Sequence, residues 1–416
     1  MKTVTVLIVG AGSRGICHAE FALQHPEKMK VIGVAEPRDF YRNQMAAKYN
    51  IPEKYVFKDW KEAAEMPKFA DAVVISTQDK MHVEPAVAFA DLGYHMLLEK
   101  PIAPDEKGCR KVIKAVEKNN IIFAVCHVLR YTAYTRKIKE IIKSGRIGKV
   151  VCVQHLEPVG YWHQAHSFVR GNWRREDESS PMLLAKSCHD LDWIRFIMDV
   201  PCKKVSSFGS LKHFKAEEKP KGAADRCLDC KIEAKCPYSA RKIYLGRLEK
   251  GQTGWPLDVI TPDLTVEGVT RALREGPYGR CVYACDNDVV DNQVVNMEFE
   301  GGRTATFTMT AFTEAGGRRT TIFGTRGELR GNSDKIEVFD FLSDKTEEIS
   351  ANAQENSIIG GHGGGDYWIK DAFIKAVATG DRSHILSGPA ESLETHLMVF
   401  AAEKARRLNR VVAVKI

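Results

Sequence analysis

The sequence predicts an α/β protein: a doubly wound parallel sheet, then a second α/β domain on a large, mostly antiparallel open sheet. Three observations carry this. Through about residue 123, short apolar runs alternate with helical segments, the pattern of a parallel sheet covered on both faces. Beyond that point strand-like runs follow one another closely, separated by glycine-marked turns. At 416 residues the chain is too long for one simple domain. The expected domains are 1–123 and 124–416, the second carrying an insertion over 213–290.

Each element follows from its local pattern. Thr3–Val9 reads as a strand and leads through Gly10-Ala-Gly12-Ser13-Arg14-Gly15 into a helix ending near Gln24. Val31–Ala35 is a second strand ending at Glu36, and Arg38–Tyr49 is helical. Ala72–Ser76 is a strand followed by a helix over Val83–Leu92. His95–Leu98 is a strand ending at Glu99-Lys100-Pro101, Pro104–Asn119 a helix and Ile121–Val125 a further strand. In the second domain Thr135–Ser144 is a helix, Val150–Leu156 a strand and Ser180–Met198 mostly helical. Lys203–Leu211, Gln293–Glu300, Thr304–Thr313, Arg318–Thr325 and Glu328–Asn332 read as successive strands, with hairpin signals at Gly301-Gly302 and Gly316-Gly317. Helices over Asp366–Ala378 and Pro389–Leu408 precede a last strand, Val411–Lys415.

Composition excludes several classes. A 44% hydrophobic and 28% charged content is that of an ordinary globular protein. The net charge of +7 is spread along the chain rather than gathered in one stretch, which argues against a nucleic-acid partner. It is compatible with acidic substrates or cofactors. The opening apolar run is short and enters a glycine turn, so it reads as a buried strand rather than a secretory signal. No apolar stretch approaches a membrane span. Eleven cysteines, several in apolar contexts, point to a reducing, cytoplasmic compartment.

The glycine turn follows a strand and opens a helix. Gly10 permits the tight turn, Gly12 lets backbone approach a pyrophosphate, and Gly15 lets helix pack on strand. Ser13 and Arg14 share this turn. Glu36, 21 residues beyond Gly15, can accept hydrogen bonds from a ribose diol, and it favours NAD over NADP because a 2′-phosphate would meet a carboxylate. Arg38 and Arg14 oppose this preference, since either guanidinium can neutralise that phosphate.

Lys100 ends a predicted parallel strand, where ligands of open α/β sheets bind. Beside a nicotinamide it can take or give a hydroxyl proton during hydride transfer. With the glycine turn, Ser76-Thr77-Gln78-Asp-Lys-Met-His82, Glu99-Lys100-Pro101, His127-Val-Leu-Arg130-Tyr131 and His189-Asp-Leu-Asp192, the chain resembles the glucose–fructose oxidoreductase, inositol dehydrogenase and MocA family over nearly its full length. The resemblance implies an N-terminal Rossmann domain and a C-terminal α/β domain whose open sheet often serves assembly as a dimer or tetramer. It also implies a tightly held NAD(P) and sugar, polyol or glycoside substrates. By match, Thr77, Gln78, His82, Glu99, Lys100 and His127 line the cofactor.

Dehydrogenases of that family often carry an aspartate four residues before the catalytic histidine; here the position is Ala185, followed by Lys186. Helical spacing puts Ala185, His189 and Asp192 near one face, with Lys186 within reach of His189. Lys100 and His189 are the expected proton-transfer pair and Lys186 a third catalytic or substrate-contacting group. Asp192 is expected to orient His189 or bind a hydroxyl, and Arg130 to contact substrate. The segment Gly160-Tyr161-Trp162-His163-Gln-Ala-His166-Ser-Phe-Val-Arg170-Gly-Asn-Trp173-Arg174 combines aromatic faces, which stack on sugar rings, with Arg and His, which bind hydroxyls or a carboxylate. Tyr161, Trp162, His163, His166, Arg170 and Trp173 are therefore expected around the substrate; the competing reading is an aromatic loop packed on the core. The glycine run Gly360-Gly-His362-Gly-Gly-Gly365-Asp366 is expected to let His362 or Asp366 reach the site.

Cys227-x2-Cys230 has zinc-knuckle spacing, Cys236 follows, and Cys281 or Cys285 completes four. Four thiolates close a tetrahedral structural zinc site; an iron–sulfur cluster uses the same ligands. The set Cys227, Cys230, Cys236 and Cys281 is expected to staple an insertion poor in core-forming residues.

The expected function is an NAD-dependent oxidoreductase acting on a secondary alcohol of a sugar, polyol or glycoside. The resemblance also admits an NAD-dependent glycoside hydrolase working by transient oxidation, elimination, water addition and re-reduction. A non-catalytic cofactor-sensing protein is the third class.

Overall fold

The computed structural model describes residues 2–351 and 362–416. Gly360 and Gly361 of the glycine run, and the side chain of His362, lie outside the described residues. The first sheet contains β1 (Val4–Val9), β2 (Met29–Ala35), β3 (Val56–Phe57), β4 (Ala72–Ile75), β5 (His95–Leu98) and β6 (Phe123–Val125). Its order is β3-β2-β1-β4-β5-β6, and every neighbouring pair is parallel. Strand order therefore reverses beside β1, and the crevice at its carboxyl end is where such sheets hold ligands. Continuous apolar strands follow from burial on both faces. Val4, Val6 and Ile8 enter one core, while Leu7 and Val9 enter the other.

The first core is completed by a late segment. Ile369, Phe373, Ile374 and Ala376, on the helix Gly365–Thr379, are buried with β1 and the helix Ser13–Gln24. The final helix, Pro389–Leu408, bridges both halves: Leu393 packs toward the first sheet, and Met398, Val399 and Ala402 toward the second.

The second sheet contains β7 (Val150–Pro158), β8 (Cys202–Ser210), β9 (Asn292–Phe299), β10 (Thr304–Thr310), β11 (Arg319–Gly324), β12 (Gly327–Gly331), β13 (Lys335–Asp340), β14 (Lys345–Ser350) and β15 (Val412–Ala413). Its order is β14-β13-β12-β11-β7-β10-β9-β8-β15, antiparallel except where β10 runs parallel to β7. Gly301-Gly302 joins a true hairpin between β9 and β10. Gly316-Gly317 does not, because β7 inserts between β10 and β11 and separates them. β13 and β14 extend the sheet beyond the predicted strands; β14 is a charged, exposed edge with little apolar pattern.

The helical segment expected over Ser180–Met198 is broken into Met182–Ala185 and Cys188–Met198. The insertion proves richer in core than its composition implied. Phe214, Tyr238, Tyr244, Leu257, Val269 and Leu273 bury one another and also cover Ala165, Val169 and Ala311.

Phe373, 1% exposed, ties the C-terminal region to the first sheet. Phe373→Ala is expected to cost about 3–5 kcal/mol. A urea midpoint unchanged from the parent protein would show that this helix is dispensable for the first domain.

Candidate functional site

The glycine turn is built for close approach. Gly10 has φ of 88°, and a Cβ there would stand 2.7 Å from the Ser76 carbonyl oxygen. A Cβ on Gly15 would strike the Gly10 carbonyl. Over Gly12 the nearest atom is Arg38 Nη2, at 3.4 Å, so a ligand can come down onto the backbone. Ser13 opens the following helix, whose unpaired N–H groups suit a pyrophosphate.

Glu36 is 2% exposed and accepts from the Ala11 amide at 2.8 Å and the Arg38 amide at 3.0 Å. The Arg38 guanidinium adds bonds of 2.7 and 3.0 Å. Burial opposes ionisation of Glu36, but these donors outweigh it and hold the carboxyl below its ordinary range. Arg14 turns the other way. It donates to Glu99 at 2.6 Å and to Asp366 at 2.6 Å, and His18 meets the same Glu99 oxygen at 2.7 Å. Against the cost of burial, Arg14 and His18 keep Glu99 ionised. Arg14 is thus committed to two carboxylates, and Asp366 reaches it from the far end of the chain.

His82 lies beneath the loops that bracket Lys100. Its ring faces the Pro101 carbonyl at 2.6 Å and the Thr77 carbonyl at 3.1 Å, so it ties the two loops together. Thr77 donates to the Met81 carbonyl at 3.2 Å, while Gln78 is exposed. His396 anchors the other side by accepting from the Ile102 amide at 2.9 Å. Sequence reasoning missed His396, because a histidine inside a long helix carries no local signal. It also missed Asp79, which accepts from Ser180 at 2.7 Å, Ser179 at 3.2 Å and the Trp173 indole at 3.2 Å, joining the two domains.

Lys100 crosses between domains. Its Nζ donates to the Ala185 carbonyl, at the end of the short helix before Lys186. Because the helix breaks there, Lys186 faces Glu157 at 3.3 Å rather than stacking beneath His189. Burial lowers the Lys186 pKa, Glu157 opposes that fall, and Arg318 adds to it. His189 opens the next helix, with its ring centroid 6.1 Å from that of His127. His127 is fully buried, and neither ring nitrogen has a hydrogen-bond partner among the described residues. Burial pushes its pKa down to about 3.

Arg130 and Asp192, both expected on substrate, are instead spent on each other. Arg130 Nε and Nη2 each lie 2.7 Å from an Asp192 oxygen, and the side chains are 2% and 0% exposed. Thr395 donates to Asp192 at 3.2 Å, and the pair sits 3.7 Å from His127.

The aromatic segment divides. His166 meets the Tyr244 hydroxyl at 2.8 Å and stacks on Tyr278, inside the insertion's core. Arg170, 1% exposed, donates to the Arg280 and Tyr238 carbonyls at 2.7 and 2.8 Å and touches Cys227 Sγ at 3.5 Å. Trp173 is held by Asp79. For His166 and Arg170 the packed-loop reading fits better than substrate contact, because the insertion supplies their partners. Tyr161 lies near Tyr238, and Trp162 packs against Trp255 under Arg247. His163 faces inward: burial, then Lys186, His166 and Lys100, hold its pKa well below the ordinary value.

The thiols approach one another without converging. An antiparallel bridge between Arg226 and Arg280 brings Cys227 beside Cys281, and the Cys281 amide donates to the Asp225 carbonyl at 2.8 Å. Cys285 turns its Sγ toward the Cys281 carbonyl at 3.2 Å. Among the described residues no three of these sulfurs lie mutually within 4.8 Å; the group that does is His18, Glu99 and Cys126. That group shares its carboxylate with Arg14.

Taken together, the open backbone at Gly12, the ionised Glu36 and the buried His127, whose ring nitrogens make no hydrogen bond among the described residues, fit a dinucleotide whose nicotinamide end lies toward Lys100. Two outcomes follow. Asp192→Ala leaves Arg130 buried and unpaired, at a cost of about 3–5 kcal/mol. Replacing both partners, Arg130→Met with Asp192→Leu, is expected to restore most of that in denaturant melts. The second concerns pH. Burial brings His127 and His166 to about 3 and His396 to about 4. The unfolded chain takes up these protons from about pH 6.5 downward, whereas the native protein does so only near 3–4. Stability therefore falls as pH drops through this window, by up to about 1.4 kcal/mol per pH unit for each histidine. A thermal midpoint at pH 5 equal to that at pH 7 would contradict this.

The family model described as "Oxidoreductase family, NAD-binding Rossmann fold" matches residues 4–127, and its "C-terminal alpha/beta domain" matches 139–414. YteT of Bacillus subtilis (strain 168), named as an oxidoreductase, is 24% identical over 357 residues, 76% of this chain and 78% of YteT. The 2,7-anhydro-N-acetylneuraminate hydratase of Mediterraneibacter gnavus is 27% identical over 216 residues, 51% of this chain and 54% of that protein. The levoglucosan dehydrogenase of Pseudarthrobacter phenanthrenivorans is 23% identical over 248 residues, 54% of this chain and 62% of the enzyme. A solved levoglucosan dehydrogenase, in complex with NADH and levoglucosan, superimposes over the full length of both chains with a TM-score of 0.73 at 17% identity. With both halves matched in order, the chain belongs to the Gfo/Idh/MocA oxidoreductase family, an NAD-binding Rossmann domain joined to a C-terminal α/β domain.

Proposed function

We propose that the protein is an NAD-dependent oxidoreductase acting on a secondary alcohol of a sugar, polyol or glycoside. The observation that carries this is Lys100, which leaves the dinucleotide-binding sheet and reaches the Ala185 carbonyl beside Lys186 and His189. NAD, when bound, supplies the hydride acceptor. Gly10, Gly12, Ser13 and Gly15 would hold its pyrophosphate, and Glu36 its ribose diol. Glu99 acts through Arg14, and His82 through the Lys100 loop. Thr77 and Gln78 border the ligand, and His127 faces the nicotinamide end. Lys100 takes the hydroxyl proton, His189 hydrogen-bonds the same oxygen, and Lys186, kept cationic by Glu157, holds a neighbouring oxygen. Trp162 and His163 border the substrate.

A redox-neutral reaction is the second reading. A relative named as a hydratase favours it, as does His163, which burial keeps neutral and which can serve as an additional proton acceptor. Stoichiometry separates the two. A dehydrogenase forms one NADH per sugar or glycoside consumed, whereas a redox-neutral enzyme converts a glycoside with substoichiometric NAD. In either case Lys100→Met and His189→Ala are expected to lower kcat/KM by about 10²–10⁴; an active His189→Ala protein would refute its role.

NAD is the preferred cofactor because Glu36 stays ionised and its partner Arg38 is already engaged. Tighter binding of NADP than NAD would overturn this. Assembly as a dimer or tetramer through the open second sheet, and a cytoplasmic location consistent with eleven free cysteines, complete the reading.

The Cys227, Cys230, Cys236 and Cys281 set is proposed as a structural zinc site. Its support is the spacing and the bridge that brings Cys281 to Cys227; ligation would require the sulfurs to draw in from the separation described above. Purified protein is expected to contain one zinc per chain and to lose thermal stability on chelation. Zinc-free protein of unchanged stability would remove the proposal.

A further inference from the structure

We propose, resting on the NAD reading above, that Asp79 is a positioning residue for the cofactor. Its carboxylate fastens the loop after β4 to the second domain, and dinucleotide affinity depends on that fastening. The loop begins at the crevice itself. A Cβ on Gly10 would stand 2.7 Å from the Ser76 carbonyl oxygen and 3.1 Å from the Thr77 amide nitrogen. The backbone leaving β4 therefore lies against the glycine turn. A single helical turn, Asp79–Met81, follows and leads into His82.

Asp79 is 4% exposed, and its side-chain hydrogen bonds among the described residues all come from one short stretch of the second domain. The Ser180 hydroxyl donates at 2.7 Å, the Ser179 hydroxyl at 3.2 Å and the Trp173 indole at 3.2 Å. Lys80 adds a bond from its Nζ to the Asp177 carbonyl. The stretch continues through Pro181 into the helix Met182–Ala185, whose last carbonyl receives Lys100. Beside Lys100, the Pro101 carbonyl meets the His82 ring at 2.6 Å, and that ring returns to the Thr77 carbonyl at 3.1 Å. The contacts thus form a closed circuit. It runs from the Thr77 loop through Asp79 to residues 173–185, through Lys100 to Pro101, and through His82 back to Thr77.

Within that circuit Asp79 carries the strongest link from loop to second domain, because hydrogen bonds to a carboxylate are about twice as strong as those between neutral groups. Domain attachment as such does not need it. The Arg130–Asp192 pair and the final helix Pro389–Leu408 also join the two halves. What Asp79 adds is local: a loop fixed before the ligand arrives costs less to order when the ligand binds. Without the carboxylate the loop leaves the crevice for part of the time, and apparent affinity falls by that fraction.

The test titrates NADH into the full-length protein and follows nicotinamide fluorescence. Asp79→Ala is expected to weaken binding about tenfold and Ser180→Ala about threefold. The double variant should bind no worse than Asp79→Ala, since both changes break one contact. Asp79→Asn is the rescue. Its amide oxygen can accept from the Trp173 indole while the serine hydroxyls turn to accept from its nitrogen, so affinity should stay within about threefold of the parent. If Asp79→Ala fails to fold, Ser180→Ala and Trp173→Phe test the same contact from the other side, each with an expected loss of about threefold. A folded Asp79→Ala protein that binds NADH within twofold of the parent overturns the inference, even if its urea midpoint falls. So does a double variant whose losses add, or an Asp79→Asn protein as weak as Asp79→Ala. Parent protein that binds neither NADH nor NAD would overturn the cofactor reading and this inference with it.

Discussion

The buried ion pair between Arg130 and Asp192 sets the relation between the two halves of this protein. Arg130 stands in the turn that leaves the last strand of the dinucleotide-binding sheet, and Asp192 lies one helical turn beyond His189. Their two bonds of 2.7 Å lock the helix carrying His189 against the sheet carrying Lys100. Arg130 also donates to the Leu386 carbonyl, and Thr395 to Asp192, so the last helix is bound into the same joint. Such a pair stabilises little overall, because taking two charges out of water offsets their attraction. Its contribution is geometric. A bidentate fork accepts one register, and that register delivers Lys100 to the Ala185 carbonyl.

Around this joint the buried charges are gathered into ion-paired clusters. Arg14 with Glu99, and Lys186 and Arg318 with Glu157 and Asp190, form clusters in which burial and pairing compete. The histidines obey the same constraint in another way: burial keeps His127 and His396 neutral, and the His396 ring accepts from the Ile102 amide. The Lys100 ammonium meets no carboxylate among the described residues, and its Nζ donates to the Ala185 carbonyl in the second domain.

Much of the first domain was legible in the sequence because each strand is short, apolar and buried on both faces, and each turn has a glycine or acid with a local reason to be there. The second sheet was harder. A glycine pair marks a turn, yet it cannot say which strand will lie alongside, so Gly316-Gly317 looked like a hairpin although β7 separates its flanking strands. β14 was invisible because an edge strand needs no apolar face. Within the site, Lys100 reaches the Ala185 carbonyl, and the His127 and His189 rings lie 6.1 Å apart. Arg130, His166, Arg170 and Trp173 belong to packing and ion pairs instead, since their side-chain types serve a substrate or a neighbouring loop equally well. Asp79 and His396, which hold the site's loops, carried no local signal at all.

What the sequence determined by itself was local: a glycine turn that only a small residue can make, an acid at the end of the second strand, a lysine at the end of a parallel strand, and the family that these motifs share. Those features depend on neighbours a few residues away and on backbone sterics. The tertiary structure alone decided which charges would pair. Asp366 reaches Arg14 across 352 residues, and Glu403 reaches Gln293 across 110. Such partners are chosen by burial and by the register of packed elements, neither of which a local stretch of sequence carries.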